Sequence, residues 1–521
     1  MPPREKRPTG QRERIGAAAV EAVHDVMWKA ADALRGPVDA AEHKEFVLGL
    51  LFVRYLSDAF EERRAELAAE LAAEGVSGER RSAFLEDRDA YLAHGVFWIP
   101  EAARWSRITA DMRHANAGDR LAFAMEAIMR ENVALRGVLP PVFHRGDLGA
   151  RHLAALVDLI GDPRFTRSGR MTAQDALSEV YAYFLAYFAR AEGKRGGEFH
   201  TPQPLAQLIV DILEPYSGRL YDPACGAGGM LVEAAKFAET HASLERPNFL
   251  TVYGQETNER TWRLARMNLA IHGIDTGDLG AGPADTFGDD QHPALRADFV
   301  MAHPPFNVKD WARDEDDARW RYGVPPRHNA NYAWLQHALS KLADGGTAGV
   351  VLANGSMSSA PSVGGDVRRG LVEADHVACL VALPGQLFRT TSIPACLWLL
   401  TKDKSSQGSK HLTDRRGQIL FVDAREMGTM ADRTERVLTL DDIARIAESY
   451  HVWRGTPSAR AAGLSYEDEP GFRHSADLAT VREHGYTLTP GRYVGTARQE
   501  PPPVLRERPA SLMRNLYAIF D

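Results

Sequence analysis

Apolar residues recur at helical spacing through residues 46–71, where Phe46, Val47, Leu50, Leu51, Leu56 and Phe60 fall on one broad stripe. Residues 23–34 carry the same period, and Gly36-Pro37 breaks the chain between the two. The pattern predicts further helices over 121–129, 153–160 and 173–189, with no strand among them. Residues 1–190 therefore read as one helical domain. Tyr181, Tyr183, Phe184, Tyr187 and Phe188 crowd its last helix, and core packing accounts for them better than stacking on nucleic-acid bases.

A charged, glycine-rich joint at 192–197 (EGKRGG) marks a change of texture. Short apolar runs at 250–254, 298–302, 348–353, 377–383 and 395–400 now alternate with helical patterns at 229–240, 260–272 and 332–343. Strands alternating with helices predict a doubly wound α/β sheet covered on both faces, over residues 191–410. Only residues 384–394 join the last two runs, which predicts an antiparallel hairpin at one edge. From 411 to 521 the pattern loosens into a small α/β extension. Phe421 and Val422 suggest a strand, 438–446 a helix, and 504–520 a terminal helix after the prolines at 501–503.

Composition narrows the classes. The 521 residues are 44% hydrophobic and 25% charged, which excludes global disorder, a coiled-coil rod and a collagen-like repeat. No run reaches the roughly 18 uncharged residues that a membrane span needs. The basic stretch 1–14 has no apolar core after it and reads as a disordered arm, not a secretory signal. Cys225, Cys379 and Cys396 make neither a disulfide framework nor a C-x-x-C pair, so a reducing cytoplasm is expected. The net charge of −8 matters for one class of partner. A chain that holds DNA unaided is usually basic, so DNA binding here requires a local patch or a partner. His328 and His337 lack metal-ligand spacing, and no metal is expected.

Two turns carry candidate chemistry. The first is Leu220-Tyr221-Asp222-Pro223-Ala224-Cys225-Gly226-Ala227-Gly228-Gly229, which ends a strand and opens a helix. Its glycines let the backbone turn sharply and approach a ligand, beyond the C-terminal end of a strand. Asp222 suits a ligand with an ammonium group. Glu256 follows the next strand, where a carboxylate accepts hydrogen bonds from ribose hydroxyls. The spacing is neither G-x-G-x-x-G nor a P-loop. A cationic amine, a ribose and no phosphate point to S-adenosylmethionine over NAD or ATP.

The second turn, His303-Pro304-Pro305-Phe306, follows the run at 298–302 directly. Two prolines fix the chain and expose the carbonyl of the first. The tetrapeptide resembles the Asn/Asp-Pro-Pro-aromatic site of amino methyltransferases. There a side-chain acceptor and a backbone carbonyl hold an exocyclic amine while the aromatic ring stacks on the planar substrate. Cytosine C5 chemistry would need a cysteine nucleophile. Cys225 and Cys396 each follow an alanine in apolar surroundings and read as core residues.

With both turns in one domain, the chain strongly resembles the modification (M) subunit of type I restriction–modification systems, N6-adenine DNA methyltransferases of the gamma arrangement. The resemblance spans nearly the whole chain. Its N-terminal signatures are 28–36 (WKAADALRG) and 47–64 (VLGLLFVRYLSDAFEERR). Later ones are 196–202 (GGEFHTP), the loop 222–229, 329–336 (NANYAWLQ), 351–357 (VLANGSM), 383–388 (LPGQLF) and 488–495 (LTPGRYVG). The resemblance implies a Rossmann-like methyltransferase sheet. It places Glu198, Phe199, His200, Thr201, Pro202 and Gln203 against the methionine part of S-adenosylmethionine, Asp222, Gly226, Ala227, Gly228 and Gly229 in the cofactor loop, Glu256 on the ribose and Asp285 on the adenine. It implies transfer of the methyl group to N6 of a flipped-out adenine, with Phe306 stacking on the base and Phe388 a candidate for the other side. Lys309, Arg313, Arg319, Arg321 and Arg327 follow the catalytic turn and are candidates for phosphate contacts, diluted by Asp310 and the acids at 314–317. The implied partners are double-stranded DNA, a specificity (S) subunit docked on the terminal helix, a second copy of the chain, and in some assemblies a restriction (R) subunit. No membrane is implied.

One departure is specific to this chain. The family's acceptor is usually Asn, and here it is His303. An imidazole accepts only through an unprotonated nitrogen, and its ordinary pKa of about 6.5 lies close to neutral pH. Three outcomes stay open: an active enzyme with neutral His303 as acceptor, a weakened one, or a non-catalytic subunit that binds cofactor and DNA. A protein-glutamine N-methyltransferase also uses Pro-Pro-aromatic chemistry, but the long helical domain and the type I signatures count against it.

Overall fold

The structure is a computed structural model that describes residues 43–112, 114, 116–141, 143, 150–161, 181, 201–242, 250–274, 278–360, 364–388 and 393–496. The helix expected at 23–34, the terminal helix at 504–520, most of 173–189, and Glu198, Phe199 and His200 lie outside those residues.

The N-terminal part is helical, as its apolar period dictates. It comprises α1 (His43–Ala73), α2 (Gly78–Leu85), α3 (Asp89–Leu92), α4 (Trp105–Asp111), α5 (Ala117–Glu131) and α6 (Ala150–Ile160). Leu48, Phe52, Leu56 and Phe60 of α1 pack with Leu121, Met125 and Ile128 of α5 and Leu156 of α6 in one apolar core.

An α/β layer follows: α7 (Gln203–Leu213), β1 (Gly218–Asp222), α8 (Gly229–Thr240), β2 (Leu250–Gly254), α9 (Glu259–Ile271), β3 (Ala297–Ala302), α10 (Asn331–Lys341), β4 (Leu342–Ala353), α11 (Gly365–Glu373), β5 (Val377–Ala382) and β6 (Ala395–Thr401). The remainder adds β7 (Gln418–Asp423), a short β8–β9 ribbon (Thr429–Met430 and Arg436–Val437), α12 (Leu440–Arg454), α13 (Pro457–Ala461), β10 (Arg473–Asp477) and α14 (Leu478–Glu483). The eight strands outside the ribbon form one sheet in the order β10-β7-β5-β6-β4-β3-β1-β2. Strands β2, β1, β3 and β4 run parallel to one another, and β6 pairs antiparallel with β4. Separate apolar cores fill its two faces.

The β5–β6 pair is antiparallel, as expected, but it is not at an edge. Strand β6 pairs with β4 on one side and β5 on the other, and β7 and β10 continue the sheet beyond β5. Every residue of β5 and β6 is buried. Such uninterrupted apolar runs need neighbours on all sides, and the C-terminal segment supplies the missing strands.

The helical part and the α/β layer meet at α9. Leu264, Met267, Ala270 and Ile271 of α9 belong to the helical part's core. Arg266 donates to the carbonyls of Ala134 at 2.7 Å and Arg136 at 3.0 Å, and Arg260 pairs with Glu45 at 2.8 Å. Tyr181, fully buried, donates its hydroxyl to Leu264 O at 3.1 Å. Among the described residues, no helix is long and apolar enough to cross a membrane.

Candidate active site

Strand β1 ends at Asp222, and β2 lies beside it in register, Asp222 opposite Gly254. The glycine turn is built from the backbone outward. Gly226 has φ +54° and Gly228 φ +77°, both left-handed conformations that favour glycine. A Cβ on Gly226 or Gly229 would meet nothing within 4 Å, so the backbone there is open to a ligand. A Cβ on Gly228 would face Ala265 of α9 at 3.6 Å. Asn268 of α9 donates to Ala227 O at 2.8 Å and anchors the turn from behind.

Two carboxylates face this turn. Asp222 is fully buried; its Oδ1 accepts the Ala224 N–H at 3.0 Å, while its Oδ2 has no hydrogen-bond partner among the described residues. Burial pushes its carboxyl up to about 8, the charge of Glu256 pushes the same way, and the Ala224 N–H opposes both. Glu256 bridges two turns: Oε2 accepts from Gly226 N at 3.1 Å and Oε1 from Asn258 N at 2.8 Å.

Asp285 joins the same neighbourhood through the backbone. Ala284 N donates to Glu256 O at 2.9 Å, and Thr286 donates its hydroxyl to Pro223 O at 2.5 Å. Asp285 Oδ1 accepts from Phe287 N and Gly288 N, which holds this exposed side chain at the rim. An open glycine turn, a buried carboxylate with an unused oxygen and two further acids suit a ligand that carries an ammonium, a ribose and a base.

The His-Pro-Pro-Phe turn leaves β3, the strand next to β1. His303 is 5% exposed, and its Nδ1 lies 2.8 Å from Thr201 Oγ1. Thr201 thereby ties the segment before α7 to this turn. The ring of Phe388 stacks on the imidazole at 5.1 Å and 27°, and Phe306 lies 5.4 Å away, tilted by 57°. Phe306 and Phe388 meet edge-to-face at 5.9 Å, and both are buried. Phe388 thus packs over His303.

Asn307, at φ +56°, closes the turn. Its N–H donates to Asn331 Oδ1 at 3.0 Å, and its Oδ1 accepts from Asn331 Nδ2 at 2.9 Å and Asn329 Nδ2 at 3.1 Å.

The sequence matches the family described as N-6 DNA Methylase over residues 172–501, and the one described as HsdM N-terminal domain over 23–160. The chain belongs to the N-6 DNA methylase family. Within it, the chain falls among the type I restriction enzyme methylase subunits. It is 42% identical to the HindI methylase subunit of Haemophilus influenzae, over 81% of this chain and 95% of that one. It is 35% identical to the MjaIX methylase subunit of Methanocaldococcus jannaschii, over 90% of this chain and 83% of that one. The fold is that of the type I methyltransferase subunit solved from Streptococcus thermophilus, with a TM-score of 0.71, 24% identity, and coverage of 92% of this chain and 99% of that one.

In this methylase, Thr201, the glycine turn, Glu256, Asp285 and His303 share one end of the sheet. Arg319 takes a different place from the one expected of a phosphate contact. It pairs with Asp317, donates to the carbonyls of Thr286 and Phe287 at 2.9 and 2.7 Å, and contacts His337 Nδ1 at 3.0 Å. Its guanidinium braces the Asp285 turn. His337 is fully buried, burial pushes its imidazole well down, and it meets Tyr221 of β1 at 3.2 Å. Arg313 is also engaged, with Pro325 O and Glu315, whereas Lys309 and Arg321 are exposed. The cysteines are buried free thiols, and burial pushes the thiols up, which is wrong for a nucleophile. Two residues that pattern reasoning passed over support the site: Asn268 through the Ala227 carbonyl, and Asn307 through the Asn329 and Asn331 side chains. No spacing rule marks such residues, although Asn331 lies inside a noted motif.

Proposed function

We propose that this methylase subunit transfers a methyl group from S-adenosylmethionine to N6 of adenine in double-stranded DNA. The observation that carries the proposal is the placement of the His303 turn beside the open glycine turn, on adjacent parallel strands, with Thr201 bonded to His303. When bound, the cofactor supplies an electrophilic methyl on a sulfonium. Asp222 and the glycine turn from Gly226 to Gly229, with Ala227 among them, hold its amino-acid end together with the segment from Glu198 to Gln203, including Pro202. Glu256 binds its ribose and Asp285 its adenine. A target base cannot be reached inside the duplex and must be flipped out. His303 and the Pro304 carbonyl, fixed by Pro305, then accept the hydrogens of the exocyclic amine and turn its lone pair toward the methyl group. Phe306 stacks on the base. Phe388 must swing off His303 to admit it and then closes on the outer side.

A specificity subunit reads the sequence, and a second copy of this chain completes the clamp around DNA in the cytoplasm; a restriction subunit joins for cleavage. The helical residues 1–190 form the clamp arm, 191–410 carry catalysis, and 411–521 end in the docking helix. The charge of −8 fits a subunit that borrows DNA affinity from its partner.

One observation favours a second reading, a subunit that binds cofactor without methylating: Phe388 covers a histidine where Asn is usual. Genome-wide mapping of N6-methyladenine in the native host, with and without this gene, decides. Loss of a methylated motif on deletion is expected. An unchanged map would overturn the methylation proposal.

A further inference from the structure

We infer that Thr201 is a positioning residue that selects the tautomer of His303, keeping Nδ1 protonated so that the lone pair sits on Nε2. The inference rests on the proposed methylation at this turn and extends it to the one position where the chain departs from Asn.

An Asn side chain presents a fixed carbonyl acceptor. A neutral imidazole presents one acceptor nitrogen and one donor nitrogen, and its partner decides which is which. Here the partner of Nδ1 is Thr201 Oγ1 at 2.8 Å. With Nδ1 engaged, the acceptor role toward an amine falls to Nε2. That role requires the proton to be on Nδ1, donated to the threonine oxygen. The opposite arrangement, with the hydroxyl donating to Nδ1, would make Nε2–H a donor and repel an amine hydrogen. The imidazole is 5% exposed, with Phe388 stacked on it at 5.1 Å and Phe306 tilted beside it at 5.4 Å. The proposed acceptor role of the histidine thus depends on the Thr201 hydroxyl, 102 positions earlier in the chain, accepting from Nδ1–H at this contact. Thr201 sits half-buried, two residues before α7 begins, so the same threonine links the cofactor segment to the acceptor.

The test compares Thr201→Val, which removes the hydroxyl and keeps the shape, with Thr201→Ser, which retains it. The first readout needs no cofactor. Nitrogen-15 spectra of histidine-labelled full-length protein, with His303→Asn subtracted to isolate the His303 signals, show which ring nitrogen is protonated above neutral pH. Wild type and Thr201→Ser are expected to carry the proton on Nδ1, and Thr201→Val to lose that preference. The second readout is methyl incorporation into unmodified genomic DNA by the assembled complex. Thr201→Val is expected to lower kcat by about tenfold or more, the kind of loss that follows a wrong tautomer, with recovery in Thr201→Ser. In the His303→Asn background the same substitution is expected to lower kcat far less, because no tautomer remains to be chosen. A proton on Nε2 in wild type, or an unchanged tautomer in Thr201→Val, would overturn the inference. So would equal kcat losses in both backgrounds, which would reduce Thr201 to a cofactor contact. If wild type methylates nothing, the proposed function fails while the spectra still decide the tautomer.

Discussion

Asp222 poses the sharpest electrostatic problem in the site. A fully buried carboxyl with one unused oxygen favours its neutral form, and its pKa is raised to about 8. The folded value lies above the unfolded one, so folding stability from this group is complete in acid and is lost as the pH rises through 8. A cationic ligand reverses the preference by stabilising the carboxylate. Binding of S-adenosylmethionine should therefore release a proton near neutral pH. Its affinity should rise by up to about tenfold per pH unit and level off above 8. Isothermal titration in buffers of different ionisation heats measures both effects, and Asp222→Asn should flatten them. A pH-independent affinity in wild type would remove Asp222 from the binding step. His303 gives the second prediction at this scale. Protonation abolishes an imidazole acceptor, so methyl transfer should fall at acid pH. His303→Asn should lose that acid limb in a pH–rate profile, and identical limbs would end the titrating-histidine explanation. These residues were legible in the sequence because their chemistry is carried by type and spacing: an acid before glycines, an acceptor before Pro-Pro. Their environment was not. Nothing in the chain order announces that Phe388 lies on His303 or that Thr201 touches Nδ1, since both contacts close long loops.

At the scale of elements, periodicity located the helices and strands well, because β5 and β6 are uninterruptedly apolar and α1 carries a full stripe. The edge was misplaced because pairing partners for β5 come from residues 418–423, beyond the stretch where alternation is clear. Loops were the least legible. Residues 308–330 look like a basic, acid-diluted surface loop, yet Trp311 and Trp320 turn inward onto Phe287 and Trp334, and Arg319 braces the Asp285 turn. Arg319→Ala should therefore act as a structural lesion. It removes charge-assisted bonds worth about 1.5–3 kcal/mol each in favourable settings, so melting temperature should fall and the cofactor KM rise. Lys309→Ala, on an exposed side chain, should leave the melting temperature alone and reduce the salt slope of DNA binding by about one. Calorimetry and binding titrations across salt concentrations separate the two. Equal thermal effects would refute the distinction. Asn331→Ala belongs with Arg319: it strips two hydrogen bonds from left-handed Asn307, and activity should fall with a stability loss of about 1–3 kcal/mol.

The whole molecule hangs on α9. One side of this helix supports the cofactor turn, with Asn268 bonded to Ala227 O and Ala265 against Gly228. The other side, with Leu264, Met267, Ala270 and Ile271, is part of the helical domain's core. Among the described residues, α9 belongs to the helical part's core and also backs the glycine turn, whose Ala227 packs against the same core. If α9 couples the two parts, a load on the helical part should be felt at the glycine turn, and cofactor binding by the helical part, because linkage is reciprocal. Met267→Ala tests this without touching either ligand. Met267 is 1% exposed, so its truncation should cost about 2–5 kcal/mol of stability. If α9 is the shared strut, the same substitution should also weaken S-adenosylmethionine binding, and the deficit should shrink when DNA and the specificity subunit hold the arm in place. A control at the same core but away from α9, Leu121→Ala, should lose comparable stability with a smaller effect on the cofactor. Affinities measured by titration at a temperature well below both unfolding transitions keep the comparison clean. Equal cofactor affinity in the two variants would mean that the helical domain and the glycine turn share a helix but not a mechanical coupling.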